Sequence, residues 1–196
     1  MQSQIKQKLL TFTLATVASL GISNQTYAMG FTGAYDVSKF TLTNSPALGN
    51  GSVNTTNAGT GSIILIGSDD PTDNARVAVT TDFTIVIDSS GQGTVSFNWS
   101  YFTLDTPTED RAGYLVNGTF EELATADGQS STLPVILNLV SGDVFRFRVE
   151  TLTNTGEAGE FTVSNFHSVP VPFEFSPVFG FATLGALAVI KKIRKS

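Results

Sequence analysis

Apolar and polar residues alternate along much of the middle of this 196-residue chain. A period of two marks a strand that buries one face and shows the other to water. The clearest case is Thr94 to Tyr101, where Val95, Phe97, Trp99 and Tyr101 alternate with Thr94, Ser96, Asn98 and Ser100. Asp143 to Glu150 repeats it, with Phe145, Phe147 and Val149 on one face and Arg146, Arg148 and Glu150 on the other. Along Arg76 to Asp88, Val77, Val79, Phe83, Ile85 and Ile87 share a parity. Shorter strands are predicted at Lys39 to Thr43, Ser62 to Gly67, Tyr114 to Val116, Thr119 to Leu123, Val135 to Val140 and Phe161 to Phe166. Asn117-Gly118 between two of these is a two-residue hairpin signal. Ser89 to Gly93 and Ser141-Gly142 read as further turns.

No segment between residues 29 and 171 carries a helical period. One-sided strands must pair their apolar faces, so the pattern predicts an all-β fold, a single antiparallel β-sandwich of about eight strands. Asn44 to Gly61, rich in Asn, Gly, Ser and Thr, reads as one long loop. Trp99 and Tyr101 share the parity of Val95 and Phe97, which turns them toward the core rather than toward a sugar. Phe102, Tyr35 and Phe120 are the aromatics expected on exposed loops.

The two ends have a different grammar. Lys6 and Lys8 precede a mostly apolar run, Leu9 to Leu20, and a more polar segment closes on Thr26-Tyr27-Ala28. That order is a signal peptide over 1–28, with cleavage expected after Ala28. An uncleaved anchor is the alternative, for which the apolar run falls short of the ~20 residues a bilayer crossing needs. At the other end a Pro-aromatic linker and motif over 169–177 lead into an uncharged transmembrane stretch over 178–190. A basic tail over 191–196 follows, expected to remain cytoplasmic. A helix over 175–190 covers about 24 Å. A plain C-terminal membrane helix and a processed sorting tail both fit this layout.

The tail resembles the PEP-CTERM class of sorting signals read by exosortases. Pro172, Phe173, Glu174, Phe175, Ser176 and Pro177 resemble the cyanobacterial variant, PFE-CTERM. The better-known form has Pro-Glu-Pro, whereas here Phe173 stands between Pro172 and Glu174. The resemblance covers residues 169 to 196 and implies export by a Gram-negative bacterium. It implies transient anchoring in the inner membrane by a C-terminal hydrophobic sorting helix, an exosortase-type partner, and a link to extracellular polysaccharide. A second resemblance runs through Thr94 to Tyr101, Gly113 to Gly118, Ser141 to Arg148 and Val163 to Phe166. These segments resemble sandwich domains of exported PEP-CTERM proteins compared with the CUB fold, which implies a jelly-roll-like sandwich and a surface-binding role.

Charge and composition then narrow the chemistry. Between Met29 and Val171 stand sixteen acids and five bases, a net charge of −11 against −6 for the whole chain. Such a domain does not seek nucleic acid by charge. Cysteine is absent, so core packing must hold the domain over 29–168 together. Asp105, Glu109 and Asp110 cluster with Thr106 and Thr108 between strands. CUB-like domains hold calcium near such loops, and carboxylates with loop carbonyls suit that ion. The alternative is a solvated loop in which Arg111 pairs with one of these acids. Asp69 to Asn74 is a second acidic segment, better read as a Pro-containing turn.

His167 is the single histidine, placed at the end of the last strand, and no Gly-x-Ser-x-Gly nucleophile motif occurs. One histidine without cysteine also leaves too few ligands for zinc. No catalytic residue is assigned. The expectation is an exported, non-enzymatic component of the cell envelope or extracellular matrix with a structural or adhesive role. The alternative is a calcium-assisted module that binds exopolysaccharide, and a secreted glycan hydrolase is more distant, its carboxylate pair being a spatial fact.

Overall fold

A computed structural model describes residues 28–47, 49–69, 78–104, 110–152 and 157–171. These residues form eleven strands: β1 Ala28–Met29, β2 Thr41–Ser45, β3 Ser52–Asn54, β4 Ile63–Ile66, β5 Val79–Val86, β6 Gly93–Phe102, β7 Asp110–Val116, β8 Thr119–Ala124, β9 Val135–Leu139, β10 Val144–Thr151 and β11 Glu160–Pro170. They make two antiparallel sheets. The first has the order β3-β4-β11-β6-β9, with β1 also on β11; the second runs β2-β5-β10-β7-β8. Because β6 occupies the other side of β11 at Ser168 and His167, β1 continues the edge that β4 begins. The architecture is a β-sandwich. The signal segment before Ala28 and the tail from Pro172 onward lie outside the described residues. Among those residues no helix is long and apolar enough to cross a membrane.

All nine strands named from the pattern are present. The two strands beyond these nine, β1 and β3, are two and three residues long, too short for alternation to show. The segment expected to be one loop, Asn44 to Gly61, instead holds the end of β2, β3 and a 3₁₀ turn over Ala58–Thr60. Its polar side chains replace an apolar core contact with hydrogen bonds. Asn44 Nδ2 donates to the Gly51 carbonyl at 2.9 Å, and Thr81 Oγ1 donates to Asn44 Oδ1 at 3.0 Å. A side chain at Gly51 would sit on Thr81, so glycine lets the segment lie flat on β5.

The core follows the predicted parity. Phe145, Phe147 and Val149 of β10 point inward, as do Val95, Phe97 and Tyr101 of β6. Trp99 packs against this core from a partly buried position. Phe147 meets Phe145, Phe97, Phe31 and Phe166 at centroid distances of 4.8, 5.2, 6.2 and 6.5 Å. Rings from both sheets thus interlock, and edge-to-face pairs of this kind add about 0.5–1.5 kcal/mol each beyond their buried area. Tyr35, expected on an exposed loop, is buried instead: it ends a 3₁₀ turn that drives its ring against Phe166, and its hydroxyl donates to the Gly91 carbonyl at 2.8 Å.

The turns are fixed by acceptor side chains. Asn117 and Gly118 both have positive φ, at 52° and 85°, which is the geometry of a tight hairpin. The Asn117 amide donates to Asp143 and accepts from Val144 N, tying the β7–β8 turn to the start of β10. Asp88 accepts from Ser90 and Gly91, Asp143 from Val140 N, and Asp36 from Ser38 N. In β11 a bulge at Asn165, with φ 49°, shifts the register between Ser164 and His167. The strand then continues to Pro170, so His167 lies inside it rather than at its end.

These turn carboxyls set an acid limit. The Ser90 hydroxyl, above all, holds Asp88 at about 2 against an ordinary 3.8. Backbone donors Ser38 and Val140 likewise lower Asp36 and Asp143. A carboxyl depressed on folding stabilises above its unfolded value and ceases to do so as pH falls through its folded value. The urea midpoint should therefore fall as pH drops from about 4 to about 2, and Asp88→Ala should flatten that fall. An equal slope in the variant would remove Asp88 from the account.

Candidate functional site

The outer face of the second sheet carries charged side chains of both signs in fixed register. Alternation sends Arg146, Arg148 and Glu150 of β10 outward because Phe145, Phe147 and Val149 go inward. Pairing then decides their neighbours. Arg148 lies opposite Asp82 of β5 and Gly113 of β7; Glu150 lies opposite Arg111. Gly113 in turn faces Glu122, and Leu115 faces Phe120 of β8.

A charged network results. Arg148 Nε donates to Asp82 Oδ1 at 2.6 Å and its Nη2 to Oδ2 at 2.7 Å, a bidentate fork. Arg146 Nη1 reaches the same carboxylate at 3.6 Å. Arg111 Nε donates to Glu150 at 2.8 Å and its Nη1 to Glu122 at 3.3 Å. The hydrogen bonds to Asp82 and to Glu150 raise Arg148 and Arg111 further above their ordinary range. Asp82 is 6% exposed, roofed by the two guanidiniums of β10. Three cations and three anions cancel across the face.

One aromatic ring lies among these charges. The Arg111 and Arg148 guanidinium carbons stand 5.6 and 5.9 Å from the Phe120 ring centre. A Cβ at Gly113 would come within 3.0 Å of the Phe120 ring and 2.1 Å of the Glu121 carbonyl, so glycine makes room for the ring to lie over β7. Phe120 belongs to a strand, not to the loop expected for an exposed aromatic, yet it is half-buried on the solvent face. Phe102 is exposed on the other sheet. Arg146 is the least committed cation. Its side chain is 34% exposed, its Nε has no hydrogen-bond partner among the described residues, and Thr84 and Leu115 flank it in register.

The sequence-derived candidates fall elsewhere. Asp105 and Glu109 lie outside the described residues, and so does the acidic segment after Asp69. Asp110 opens β7, 2% exposed, with its carboxylate near the backbone of Gly159. Among the described residues no three His, Cys, Asp or Glu side chains converge on a metal position. Among the described residues Arg111 pairs with Glu150 of β10 and Glu122 of β8. Ala28 pairs with Ser168 and Met29 with His167 in β1. Ala28 also lines a cavity of about 200 Å³ with Tyr35, Gly91, Ser168 and Pro170, remote from the charged face. Pro172, Phe173, Glu174, Phe175, Ser176 and Pro177 are outside the described residues.

His167 has a partner that the sequence did not disclose. Ser96 Oγ lies 2.8 Å from His167 Nε2, and His167 Nδ1 lies 3.1 Å from the Asn165 carbonyl. The carbonyl fixes the proton on Nδ1, leaving Nε2 to accept from the serine. The pair ties β6 to β11 just past the bulge.

No family model matches this chain, and no curated protein matches it. Among solved structures, a carbohydrate-binding module of the β-sandwich superfamily is 12% identical, with 70% of this chain covering 59% of that one and a TM-score of 0.39. A point mutant of a family 29 carbohydrate-binding module is 10% identical, with coverages of 73% and 89% and a TM-score of 0.38. A secreted serine protease, VesC of Vibrio cholerae, is 13% identical over 58% of this chain and 25% of its own, at a TM-score of 0.36. All three scores lie below 0.5, and the fold assignment rests on the two sheets themselves.

The network makes a stability prediction. Arg148→Ala leaves Asp82 buried against a single guanidinium at 3.6 Å, and breaking such a pair costs about 3–5 kcal/mol. Replacing both partners, Asp82→Leu with Arg148→Met, should recover most of that loss. Urea unfolding checks it, and an Arg148→Ala chain as stable as the parent would show the fork to be dispensable.

Proposed function

We propose that this protein is an exported envelope or matrix component whose adhesive function is to hold a neutral glycan on the outer face of the β2-β5-β10-β7-β8 sheet. One observation carries the reading: a rigid array of paired guanidiniums and carboxylates, neutral in sum, surrounds a single half-buried aromatic ring. Sugar rings offer hydroxyls as paired donors and acceptors, and an apolar C–H face that lies on an aromatic ring. Arg and carboxylate side chains match the first, and Phe120 matches the second. Arg146, only loosely held, is the donor free to turn toward a hydroxyl. Because the network cancels its own charge, nothing on it selects for uronate or sulfate.

Binding of the exported protein to neutral and acidic polysaccharides, measured by affinity electrophoresis or calorimetry, tests this. A neutral polymer should bind, and Phe120→Ala should weaken it roughly two- to tenfold. Arg146→Ala should weaken it too while leaving the melting temperature nearly unchanged. Loss of binding with a chelator would restore calcium at Asp105, Glu109 and Asp110. Preference for acidic polymers, or variants that bind like the parent, would sink the proposal.

Delivery completes the reading. The signal segment, the Pro172 to Pro177 motif and the basic end support export followed by exosortase-type processing at the inner membrane. Intact-mass analysis of the protein from envelope and medium should find Met29 first and a C-terminus near Pro172 to Pro177. A mass that retains Ser196 would make it a membrane-anchored domain instead.

A further inference from the structure

The tip of the β7–β8 hairpin is one of two Asn-Gly steps in the chain, the other being Asn50-Gly51. Glycine leaves its own nitrogen unhindered, so an asparagine before it is the most prone to lose its amide, the reaction that makes asparagine thermolabile. The fold treats the two steps differently. At the hairpin Asn117 and Gly118 are exposed, and a Cβ at Gly118 would meet nothing within 4 Å. Two hydrogen bonds restrain the Asn117 side chain: Nδ2 donates to Asp143 Oδ1 at 2.8 Å, and Oδ1 accepts from Val144 N at 3.0 Å. Asp143 also accepts from Val140 N at 2.8 Å, so one carboxylate serves two turns. At the other step Gly51 is buried, and a Cβ there would collide with Thr81. The Asn50 side chain accepts from Ser68 Oγ at 3.0 Å and from Asp69 N at 2.8 Å, and it donates to the Asp69 carbonyl.

We propose that Asn117 is a self-modification site, whose deamidation releases the β7–β8 turn from the start of β10. The Gly118 nitrogen attacks Asn117 Cγ, the bond from Cγ to Nδ2 breaks, and Nδ2 leaves as ammonia with the proton given up by Gly118. Water then opens the cyclic imide to aspartate or isoaspartate. While Asp143 and Val144 hold both polar atoms of the amide, Cγ cannot swing onto the Gly118 nitrogen, so the reaction waits on opening of the turn. Two bonds guard an exposed tip, whereas three hold Asn50 beside a packed glycine, and Asn117 therefore reacts first. The modified turn does not close as before. A carboxylate at position 117 has no proton to give Asp143, and two like charges stand where a donor met an acceptor. Isoaspartate in addition lengthens the main chain by a methylene inside a two-residue turn, whose register depends on its length. β8, with Phe120 and Glu122, follows directly. The reaction needs no ligand and lies apart from the charged face.

Peptide mass spectrometry of the full chain, sampled over time in mildly alkaline buffer, tests this. In the folded chain Asn117 should lose its amide several times faster than Asn50, and in concentrated urea the two should react alike. Asp143→Ala removes the charged acceptor and should speed Asn117 about tenfold, with Asn50 unchanged. The consequence is read separately by hydrogen exchange. Asn117 N donates to the Val144 carbonyl at 2.9 Å, and Val144 N donates back to the Asn117 side chain. Asn117→Asp should quicken exchange at both amides, and adding Asp143→Asn should restore the parental rate, because donor and acceptor are then exchanged. Should the Asp143→Ala chain not fold, the folded-to-urea comparison and the exchanged pair decide. Asn50 reacting as fast as Asn117 in the folded chain, a preference that persists in urea, an Asn117 rate indifferent to Asp143→Ala, or an Asn117→Asp turn that exchanges like the parent would each overturn the inference.

Discussion

The interlock of phenylalanine rings around Phe147 is the contact on which the rest of the structure depends. Phe147 and Phe145 come from the centre of one sheet, Phe97 and Phe166 from the centre of the other, and Phe31 closes the group from the segment after β1. With no disulfide available, this packing is what holds two sheets face to face. Truncating such a buried ring to alanine costs about 3–5 kcal/mol, a large part of the roughly 5–15 kcal/mol that a domain has in total. The geometry of each ring is set by the register of its strand, so a slip by one residue would bring out Phe147 and bury Arg146 or Arg148. Core and surface are thereby one decision.

That coupling explains the charged face. Arg146, Arg148 and Glu150 occupy successive outward positions of β10 because the intervening positions are committed to the core. β5 and β7 flank β10, so an acid in register with Arg146 or Arg148 must meet an arginine. Asp82 does so closely enough to be nearly excluded from water. A buried carboxylate of this kind adds little net stability when paired, yet its bidentate fork fixes the rotamer of Arg148. Side chains held so are pre-organised, and a ligand that hydrogen-bonds to them need not spend binding energy on ordering them.

Much of this was legible from the residues. The β-sandwich, the strands with long alternation, the Asn117-Gly118 hairpin and the inward turn of Tyr101 follow from local pattern, because alternation reports burial directly. Tyr35 and the Asn44 to Gly61 segment were misjudged for a shared reason. Their burial comes from a 3₁₀ turn and from hydrogen bonds such as Asn44 to Gly51, which leave no periodic trace. The charged face was half legible: Arg146, Arg148 and Glu150 were placed together, but Asp82, Arg111 and Phe120 join them only through the strand order β5-β10-β7-β8. Nor could sequence spacing pair Ser96 with His167.

The two sheets divide their duties. Chain entry and exit share the first sheet, where Ala28 pairs with Ser168 and the last described residues, Pro170 and Val171, leave the same end. The antiparallel pairing of β1 with β11 is what brings Ala28 and Val171 to that common end. The face around Phe120 belongs to the second sheet, and β9 lies at the far side of the first, beyond β6. Chain ends, charged face and β9 edge thus occupy three separate parts of the surface, each set by strand order.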